Sequence, residues 1–209
     1  RGRAADGTSR WFETHSRVLF DEEGRADGVL SIARDIDERK ARETSLTAAA
    51  LTDALTGLAN RRAFEALVAE RSADPRRRTR DCIALLDLDH FKQVNDLHGH
   101  EVGDAVLRGF ATIARQALRE GDLLARFGGE EFVVLFPDTN IDEAARICER
   151  LRRTVSDRPI AADGLAVRVT VSGGVAGIDA GGLAEALKVA DLALYRAKQG
   201  GRDQLALAA

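Results

Sequence analysis

Short apolar strand patterns alternate with helical patterns from residue 53 onward, and this alternation limits the fold more than any other feature. The stretch CIALLDL at 82–88 is typical of a buried strand, and LLARF and FVVLF flank a Gly-Gly-Glu-Glu turn, which indicates a hairpin. Apolar residues recur at helical spacing within 102–117, 141–155 and 183–197, and VRVTVSGGVAG gives another strand pattern. The order strand, helix, hairpin, helix, strand, helix, strand predicts an α/β (α+β) fold. We expect a mixed sheet close to the ferredoxin-like βαββαβ pattern, with helices on its faces.

Two shorter elements frame this pattern. Residues 60–70 are predicted to be helical, with Asn60 as the candidate N-cap. A short strand near 204–207 is expected to end the chain.

Composition sets limits on size and partners. The 209 residues suffice for one domain and a piece of another, and a net charge of −3 gives no indication of nucleic-acid binding. Cys82 and Cys148 lie in apolar patterns and are predicted to be buried free thiols. The chain has no apolar run of membrane-spanning length and no methionine. We therefore expect no nucleic-acid partner and no membrane contact from this chain, and we interpret it as part of a longer protein.

The N-terminal stretch has a different pattern. Residues 10–36 indicate two strands joined by a loop rich in Gly and Asp, and Phe12, Val18 and Phe20 share the parity of a half-buried strand. Because a lone hairpin is marginally stable in water, we expect it to complete a larger sheet. Residues 38–52 are predicted to form a charged, alanine-rich helical linker. Pairing with a second copy and a solvated connector are both compatible with its few apolar residues.

Glu130 and Glu131 lie side by side in a turn, with two glycines before them. Glycine admits positive φ and lets a ligand approach the backbone closely. Exposed carboxylates at such a turn suit Mg²⁺, which takes one or two protein carboxylates and completes its shell with substrate phosphates. Asp87 is the best second ligand, because an aspartate beside IALL is costly to bury unless it is paired or binds a metal. The competing interpretation is a helix cap for Asp87 and ordinary turn polarity for the glutamates.

Polar residues after Asp87 and near the C-terminus suit a nucleotide. Lys92 follows the strand on a short turn whose backbone amides could face phosphate. Asn95 and Asp104 offer an amide and a carboxylate to a base edge, and a carboxylate can accept both N1–H and N2–H of guanine. Lys198 and Arg202 either clamp terminal phosphates or place favourable charge at a helix C-terminus.

Residues 53–209 resemble a GGDEF domain of the diguanylate cyclase family. The signature stands at 128–132 as the GGEEF variant. Four further blocks lie on either side of it in the family's order: DALTGLANRRAF at 53–64, DLDHFKQVND at 87–96, GHEVGDAVL at 99–107 and ALYRAKQGGRD at 193–203. The family fold is similar to polymerase palm domains, in agreement with the inferred strand order. The resemblance implies condensation of two GTP into cyclic di-GMP with release of two pyrophosphates, by a homodimer whose subunits each hold one GTP.

The resemblance also implies the metal ligands and catalytic residues. Asp87, Glu130 and the backbone carbonyl of Leu88 would bind two Mg²⁺ or Mn²⁺ ions per active site. Glu131 would help to deprotonate the ribose 3′-hydroxyl or act as a further metal ligand. Asp87, Glu130 and Glu131 are therefore the expected catalytic residues, and two metals would lower the charge cost at the attacking and leaving oxygens.

Substrate contacts follow from the same resemblance. Asn95 and Asp104 would bind guanine. The expected phosphate contacts are Phe91, Lys92, Gly129, Lys198 and Arg202.

Arg119 and Asp122 form an Arg-x-x-Asp pattern shortly before the signature. Such a pattern is common in polar turns, but its position matches the family's product-inhibition site. Arg150, in the following helix, would supply a second arginine. We therefore expect cyclic di-GMP to bind here and to lock the subunits in an unproductive arrangement.

The N-terminal stretch resembles the last two strands of a PAS sensor domain, ending in Asp35-Ile36-Asp37. An unrelated hairpin is the competing interpretation. The prediction therefore assigns residues 1–37 to a PAS remnant, 38–52 to the linker and 53–209 to the GGDEF catalytic domain. We expect a cytoplasmic bacterial protein, and attachment to a membrane sensor in a longer protein stays open.

Two other functions stay open. A degenerate domain that binds GTP or cyclic di-GMP as a receptor usually lacks a signature acid, whereas Asp87, Glu130 and Glu131 are all present. A cyclase making an adenine-containing dinucleotide is the other alternative. Asp104 argues for guanine, because adenine lacks the paired donors that a carboxylate accepts.

Overall fold

The computed structural model describes residues 2–3, 7–40, 42, 50–73, 81–179 and 181–208. The chain divides into two compact units, Arg1–Ala50 and Leu51–Ala209. None of the helices in these described ranges is both long and apolar enough to cross a membrane.

The first unit consists of two small antiparallel pairs. Strand β1 (Gly2–Arg3) pairs with β2 (Ser9–Arg10), and β3 (Phe12–Phe20) pairs with β4 (Ala26–Asp35). The predicted two strands are confirmed, but the predicted half-buried face is not: Phe20 is 66% exposed, because no further strand among the described residues covers it. Residues 37–40 are helical, whereas 41 and 43–49 of the predicted linker lie outside the described residues.

The second unit alternates strands and helices. Its strands are β5 (Ala59–Asn60), β6 (Asp81–Leu88), β7 (Leu123–Gly128), β8 (Glu131–Phe136), β9 (Ile160–Ala162), β10 (Leu165–Val167), β11 (Val171–Ile178) and β12 (Leu205–Leu207). Its helices are α1 (Arg61–Ser72), α2 (Phe91–His98), α3 (His100–Ala117), α4 (Ile141–Asp157) and α5 (Gly182–Gln199). The predicted Asn60 cap is confirmed, since its side chain accepts a hydrogen bond from Ala63 N.

The central sheet has the order β12-β11-β6-β8-β7-β5. The four inner strands are antiparallel in the ferredoxin-like order, while β12 and β5 add to the edges in parallel. The mixed ferredoxin-like sheet predicted from the sequence is therefore confirmed. In this arrangement β6 lies at the centre of the sheet, and its carboxyl end meets the turn between β7 and β8.

The structure corrects one strand. The predicted strand VRVTVSGGVAG is divided, because β10 ends at Val167 and β11 begins at Val171. The segment before the break instead forms a hairpin with β9 across the turn Asp163-Gly164, where both residues have positive φ. An Asp-Gly pair is a strong signal for such a turn, but strands of three residues are too short to show a period.

Helices cover both faces of the central sheet. Val106 and Phe110 of α3 and Leu151 of α4 pack in one cluster with alternate residues of β6, such as Leu86. On the other face, residues of α1 and α5 pack against Ile83 in a second cluster. Because β6 is buried on both faces, it reads as a continuous apolar run in the sequence.

Both cysteines are buried and free, as predicted. Burial raises the pKa of the Cys82 thiol to about 11 and raises the pKa of Cys148 as well. Neither thiol is therefore a ready nucleophile at neutral pH.

Candidate active site

The acidic residues predicted to bind metal meet where β6 ends. Asp87 lies directly across from Glu131 in the antiparallel register, so their side chains share one face of the sheet. Leu88 N donates a hydrogen bond to the Glu130 carbonyl at 3.3 Å. The structure thus brings together Asp87, Leu88, Glu130 and Glu131, and we call this place the acidic edge.

Asp87 lies in an unfavourable environment for a carboxylate. It is only 6% exposed, and Lys198 Nζ lies 2.8 Å from its Oδ2. Burial raises the pKa of Asp87, the Lys198 ammonium opposes this effect, and the carboxylates of Glu130 and Glu131 add to the rise in pKa. The residue does not cap α2, whose N-cap is His90, so the helix-cap interpretation of Asp87 is wrong.

Two glycines shape the turn of the acidic edge. Gly128 pairs with Glu131, which leaves Gly129 and Glu130 as the turn residues. Gly128 has φ 152° and Gly129 has φ 49°. Because β-carbons make these conformations costly, the GG pair allows the turn to place Glu130 beside Leu88.

The turn is held from behind by Arg126, which the sequence interpretation missed. Its guanidinium donates to the Gly129 carbonyl at 2.7 and 3.0 Å and pairs with both carboxylate oxygens of Asp53. Asp53 in turn accepts hydrogen bonds from the backbone and hydroxyl of Thr56. The Asp-x-x-Thr spacing in DALT could have indicated this local turn, but nothing in the sequence pairs it with a residue 73 positions away.

The predicted guanine-binding residues lie on neighbouring helices. Asn95 belongs to α2, and Asp104 is an exposed residue in the first turns of α3. Gly103 lies against the Asn95 side chain, and a Cβ there would overlap the Asn95 amide oxygen. This close contact brings Asn95 next to the helical turn that carries Asp104.

The first turn of α2 presents Lys92 but not the Phe91 ring. Lys92 is exposed, whereas Phe91 is 6% exposed and packs in the core. No side chain caps this helix. A phosphate contact from Phe91 would therefore come from its backbone and not from its ring.

The last turn of α5 and the segment after it supply the C-terminal cations. Lys198 pairs with Asp87 as described, so it belongs to the acidic edge. Arg202 is exposed, has φ 64°, and its backbone N donates to the Ala197 carbonyl. We call residues 200–204 the C-terminal loop.

The acidic edge has the donors that a magnesium ion needs from a protein. Asp87 and Glu130 offer carboxylates, and Leu88 can offer its backbone carbonyl. No group of three or more His, Cys, Asp or Glu side chains among the described residues is arranged to hold a metal. A magnesium site with two protein carboxylates leaves its other positions to substrate phosphate oxygens. Burial and, to a smaller extent, the carboxylates of Glu130 and Glu131 raise the pKa of Asp87, and the positive charge of a bound cation would favour its ionised form.

The three residues predicted to form an inhibitory site also lie close together. Arg119 pairs with Asp122 at 2.9 Å and donates to the Pro137 carbonyl and to Thr139. Arg150 of α4 donates to the Ala117 carbonyl, two residues before Arg119. The Asp122 side chain is fully buried, so contact between it and a guanine edge would require the Arg119–Asp122 pair to open.

Comparison with known proteins agrees with this geometry. A family model described as diguanylate cyclase, GGDEF domain, matches residues 50–204. The diguanylate cyclase DgcP of Pseudomonas aeruginosa is 44% identical over 164 residues, which cover 76% of this chain and 24% of that protein. The diguanylate cyclase DgcM of Escherichia coli K12 is 40% identical over 206 residues, which cover 97% of this chain and 49% of that protein. The chain therefore spans about half or less of the length of these two relatives.

The fold is shared as well. The coiled coil and GGDEF domain of DgcB from Caulobacter crescentus, solved in complex with c-di-GMP, matches with a TM-score of 0.77 at 33% identity. The match covers 83% of this chain and 93% of that one. The family match includes the acidic edge, the α2–α3 pair and the C-terminal loop, and on this basis the chain belongs to the diguanylate cyclase family of GGDEF domains.

Proposed function

We propose that this protein condenses two GTP molecules into cyclic di-GMP and releases two pyrophosphates. The observation that carries the proposal is the acidic edge, where Asp87, Glu130 and Glu131 meet beside Lys198. The identity to proteins named diguanylate cyclases supports the same reaction.

The triphosphate is assigned to the space between the acidic edge and the start of α2. Lys92 and the backbone amides of the α2 N-terminus suit phosphate, and Lys198 brings an ammonium to the same edge. Arg202 would add a forked donor to the terminal phosphates. Gly129 lets the turn approach the phosphates without a side chain in between.

Guanine is assigned to Asn95 and Asp104. The carboxylate of Asp104 can accept both N1–H and N2–H, and the Asn95 amide can donate to or accept from the same base edge. Adenine offers no such pair of donors. ATP would therefore be disfavoured because its adenine leaves the Asp104 carboxylate without the paired donors that guanine offers.

Chemistry at the acidic edge is an in-line attack of a ribose 3′-oxygen on an α-phosphate. Mg²⁺ or Mn²⁺, two per site and held by Asp87, Glu130 and the Leu88 carbonyl, would supply positive charge at the attacking and leaving oxygens. Glu131 is exposed and shares a sheet face with Asp87, so we assign it to accept the 3′-hydroxyl proton or to add a ligand oxygen. Lys92, Lys198 and Arg202 would orient the phosphates for attack.

A homodimer is part of the proposal. One site holds one GTP, so the second GTP must come from a second subunit for the two 3′-oxygens to attack reciprocally.

The first unit is proposed to be the end of a PAS sensor, joined by the predicted helical linker to the cyclase. Product inhibition is assigned to Arg119, Asp122 and Arg150, with cyclic di-GMP as the ligand. We also propose a cytoplasmic location in a bacterial cell.

A receptor without activity is the second candidate. It would bind GTP or cyclic di-GMP through the same residues and make no product. The presence of all three acids at the acidic edge favours the enzyme.

The test is incubation of the purified chain with Mg²⁺ and GTP, ATP or an equal mixture, followed by chromatography and mass spectrometry of the products. We expect cyclic di-GMP alone, formed at a rate per protein molecule that rises with protein concentration. Absence of product from a forced-dimer fusion that still binds GTP would contradict the proposal and support the receptor. An adenine-containing product would contradict the guanine assignment.

A further inference from the structure

Asp89 carries a buried carboxylate that the proposed reaction leaves unused. It follows β6 directly and is 4% exposed. Its Oδ2 accepts hydrogen bonds from Thr170 Oγ1 at 2.7 Å and from Asp203 N at 3.0 Å, and its Oδ1 accepts one from Ser172 Oγ at 2.7 Å. Its own backbone N donates to the Thr170 carbonyl at 2.9 Å. This one side chain thus ties the end of β6 to the start of β11 and to the C-terminal loop.

The contacts of Asp89 are unusual for a buried acid. All three donors are neutral groups, and no lysine or arginine in the described part of the chain pairs with it. Burying a carboxylate without a cation is costly even when hydrogen bonds satisfy it. An apolar residue in its place would leave the buried Ser172 hydroxyl and the Asp203 N–H without this acceptor, so the value of Asp89 lies in the bonds that it accepts and in the geometry that they impose.

That geometry concerns the C-terminal loop. Arg202 and Asp203 have φ values of 64° and 45°, a conformation that residues with a Cβ rarely adopt. Such a backbone persists only where its surroundings hold it. The holding contacts are the Asp89 bond to Asp203 N, the pair of Arg152 with Asp203 at 2.5 Å, and the bond from Gly173 N to the Gln204 carbonyl.

We propose that Asp89 is a positioning residue that fixes the C-terminal loop relative to the acidic edge, so that Arg202 meets the nucleotide phosphates while Asp87 and Leu88 hold the metals. Asp89 lies two residues after Asp87 in the chain, and it bonds the residue directly after Arg202. A rigid connection between the two therefore sets their separation before nucleotide binds. This inference rests on the proposed nucleotide site but not on turnover.

The test is a double-mutant cycle between Asp89→Leu and Arg202→Ala, read out as the Kd of 3′-deoxy-GTP in the presence of Mg²⁺. This analogue lacks the attacking hydroxyl, so calorimetry measures binding without reaction. We expect Asp89→Leu to raise the Kd about tenfold, the loss of roughly one charge-assisted phosphate contact. In the Arg202→Ala background the same change should raise the Kd by less than about twofold, since its effect passes through Arg202.

Asp89→Asn is the conservative control. Its amide oxygen can keep the bonds from Asp203 N and Thr170 Oγ1, which share one carboxylate oxygen in the wild type, and the Ser172 hydroxyl can rotate to accept from its NH₂ group. We expect it to recover the Kd to within about threefold of wild type. An unchanged Kd in Asp89→Leu, or an equal rise with and without Arg202, would overturn the inference.

A second measurement covers the case in which the Asp89→Leu variant does not fold, as shown by the lack of a cooperative unfolding transition. The Asp203 amide of the wild-type protein should exchange slowly with deuterium without nucleotide, because its N–H is bonded to a buried carboxylate. Exchange at the rate of an unprotected amide would overturn the inference. Wild type that binds 3′-deoxy-GTP with the expected cycle but makes no product from GTP would instead refute only the cyclase proposal.

Discussion

At the scale of single residues, Asp87 combines a structural cost with the proposed catalytic role. Burial raises its pKa above the ordinary value of 3.8, so the ionised form is disfavoured in the folded protein. At low pH, where Asp87 is protonated in both the folded and the unfolded protein, its carboxyl does not lower the free energy of unfolding. The free energy of unfolding falls as the pH rises from the unfolded-state pKa through the folded pKa of Asp87, because the unfolded chain releases this proton first. The acid at this position is expected to weaken the metal-free fold at neutral pH.

Asp87→Asn should therefore stabilise the protein while it abolishes activity. The amide removes the buried charge, and we expect the free energy of unfolding at pH 7 in EDTA to rise by roughly 0.5–2 kcal/mol. Product formation should be lost, because the carboxylate ligand is gone. Urea unfolding and the product assay measure the two effects, with the exposed Asp96→Asn as a control that changes neither. A fall in stability of Asp87→Asn would contradict the account of its pKa.

Substitution of Arg126 tests whether this residue holds the turn of the acidic edge in place. Arg126→Lys keeps the charge but cannot bridge the Gly129 carbonyl and both oxygens of Asp53. We expect kcat to fall at least about tenfold, because a small displacement of Glu130 misplaces the proposed metal ligand. The steady-state kinetics of Arg126→Lys are compared with those of Arg115→Lys. Arg115 serves as the control because it also donates to a backbone carbonyl, that of Gly57. Equal kinetics of the two variants would contradict a positioning role for Arg126.

At the scale of secondary-structure elements, α3 carries two closely packed glycines with different neighbours. A Cβ at Gly103 would overlap the Asn95 amide oxygen and lie 3.3 Å from the Phe91 ring. A Cβ at Gly109 would instead overlap the Ile160 side chain of β9. The two positions separate the effect of crowding the helix from the effect of moving Asn95.

Gly103→Ala should raise the KM for GTP about tenfold or more, because the shifted Asn95 would lose its proposed contact with the base. Gly109→Ala should leave this KM within about twofold of wild type. In both variants alanine has a higher helix propensity than glycine, but its Cβ overlaps a neighbouring side chain. Thermal unfolding therefore shows whether the two variants lose similar amounts of stability. A KM that rises equally in both would refute the guanine assignment.

The elements that the sequence predicted well are those with a long period or a continuous apolar run. The β6 strand, the β7–β8 hairpin and the packed faces of α3, α4 and α5 follow directly from their patterns. The sequence places Asp87 beside the Glu130 turn only on the condition that β6 neighbours the hairpin, and the register shows that it does. The missed features depend on contacts between distant residues. Asp89 bonds Asp203 across 114 positions, and Arg126 pairs with Asp53 across 73. Periodicity carries no information about such pairs, and the three-residue strands β9 and β10 have no period to detect.

At the scale of the whole molecule, the proposed inhibitory site and the acidic edge lie at opposite ends of strands that pair with each other. Arg119 precedes β7 and bonds Pro137 and Thr139 just after β8, while the acidic edge lies at the turn that joins these strands. A ligand that opens the Arg119–Asp122 pair would therefore act on the same hairpin that carries Glu130.

Arg119→Ala should weaken inhibition by cyclic di-GMP. We expect the inhibition constant to rise at least about tenfold, because a guanidinium contact with the ligand is removed. The constant is measured for each variant relative to its own uninhibited rate, with the exposed Arg62→Ala as a control that keeps the wild-type value. Unchanged inhibition in Arg119→Ala would contradict the assignment of this site.

The most direct measurement compares wild type, Glu130→Ala and the exposed Glu70→Ala for cyclic di-GMP formation from GTP and Mg²⁺, with GTP binding measured on the same samples. The account predicts product from wild type and Glu70→Ala, and none from Glu130→Ala. Product from Glu130→Ala at the wild-type rate, or GTP binding by wild type without product even as a forced dimer, would contradict the claim that the acidic edge is a catalytic site.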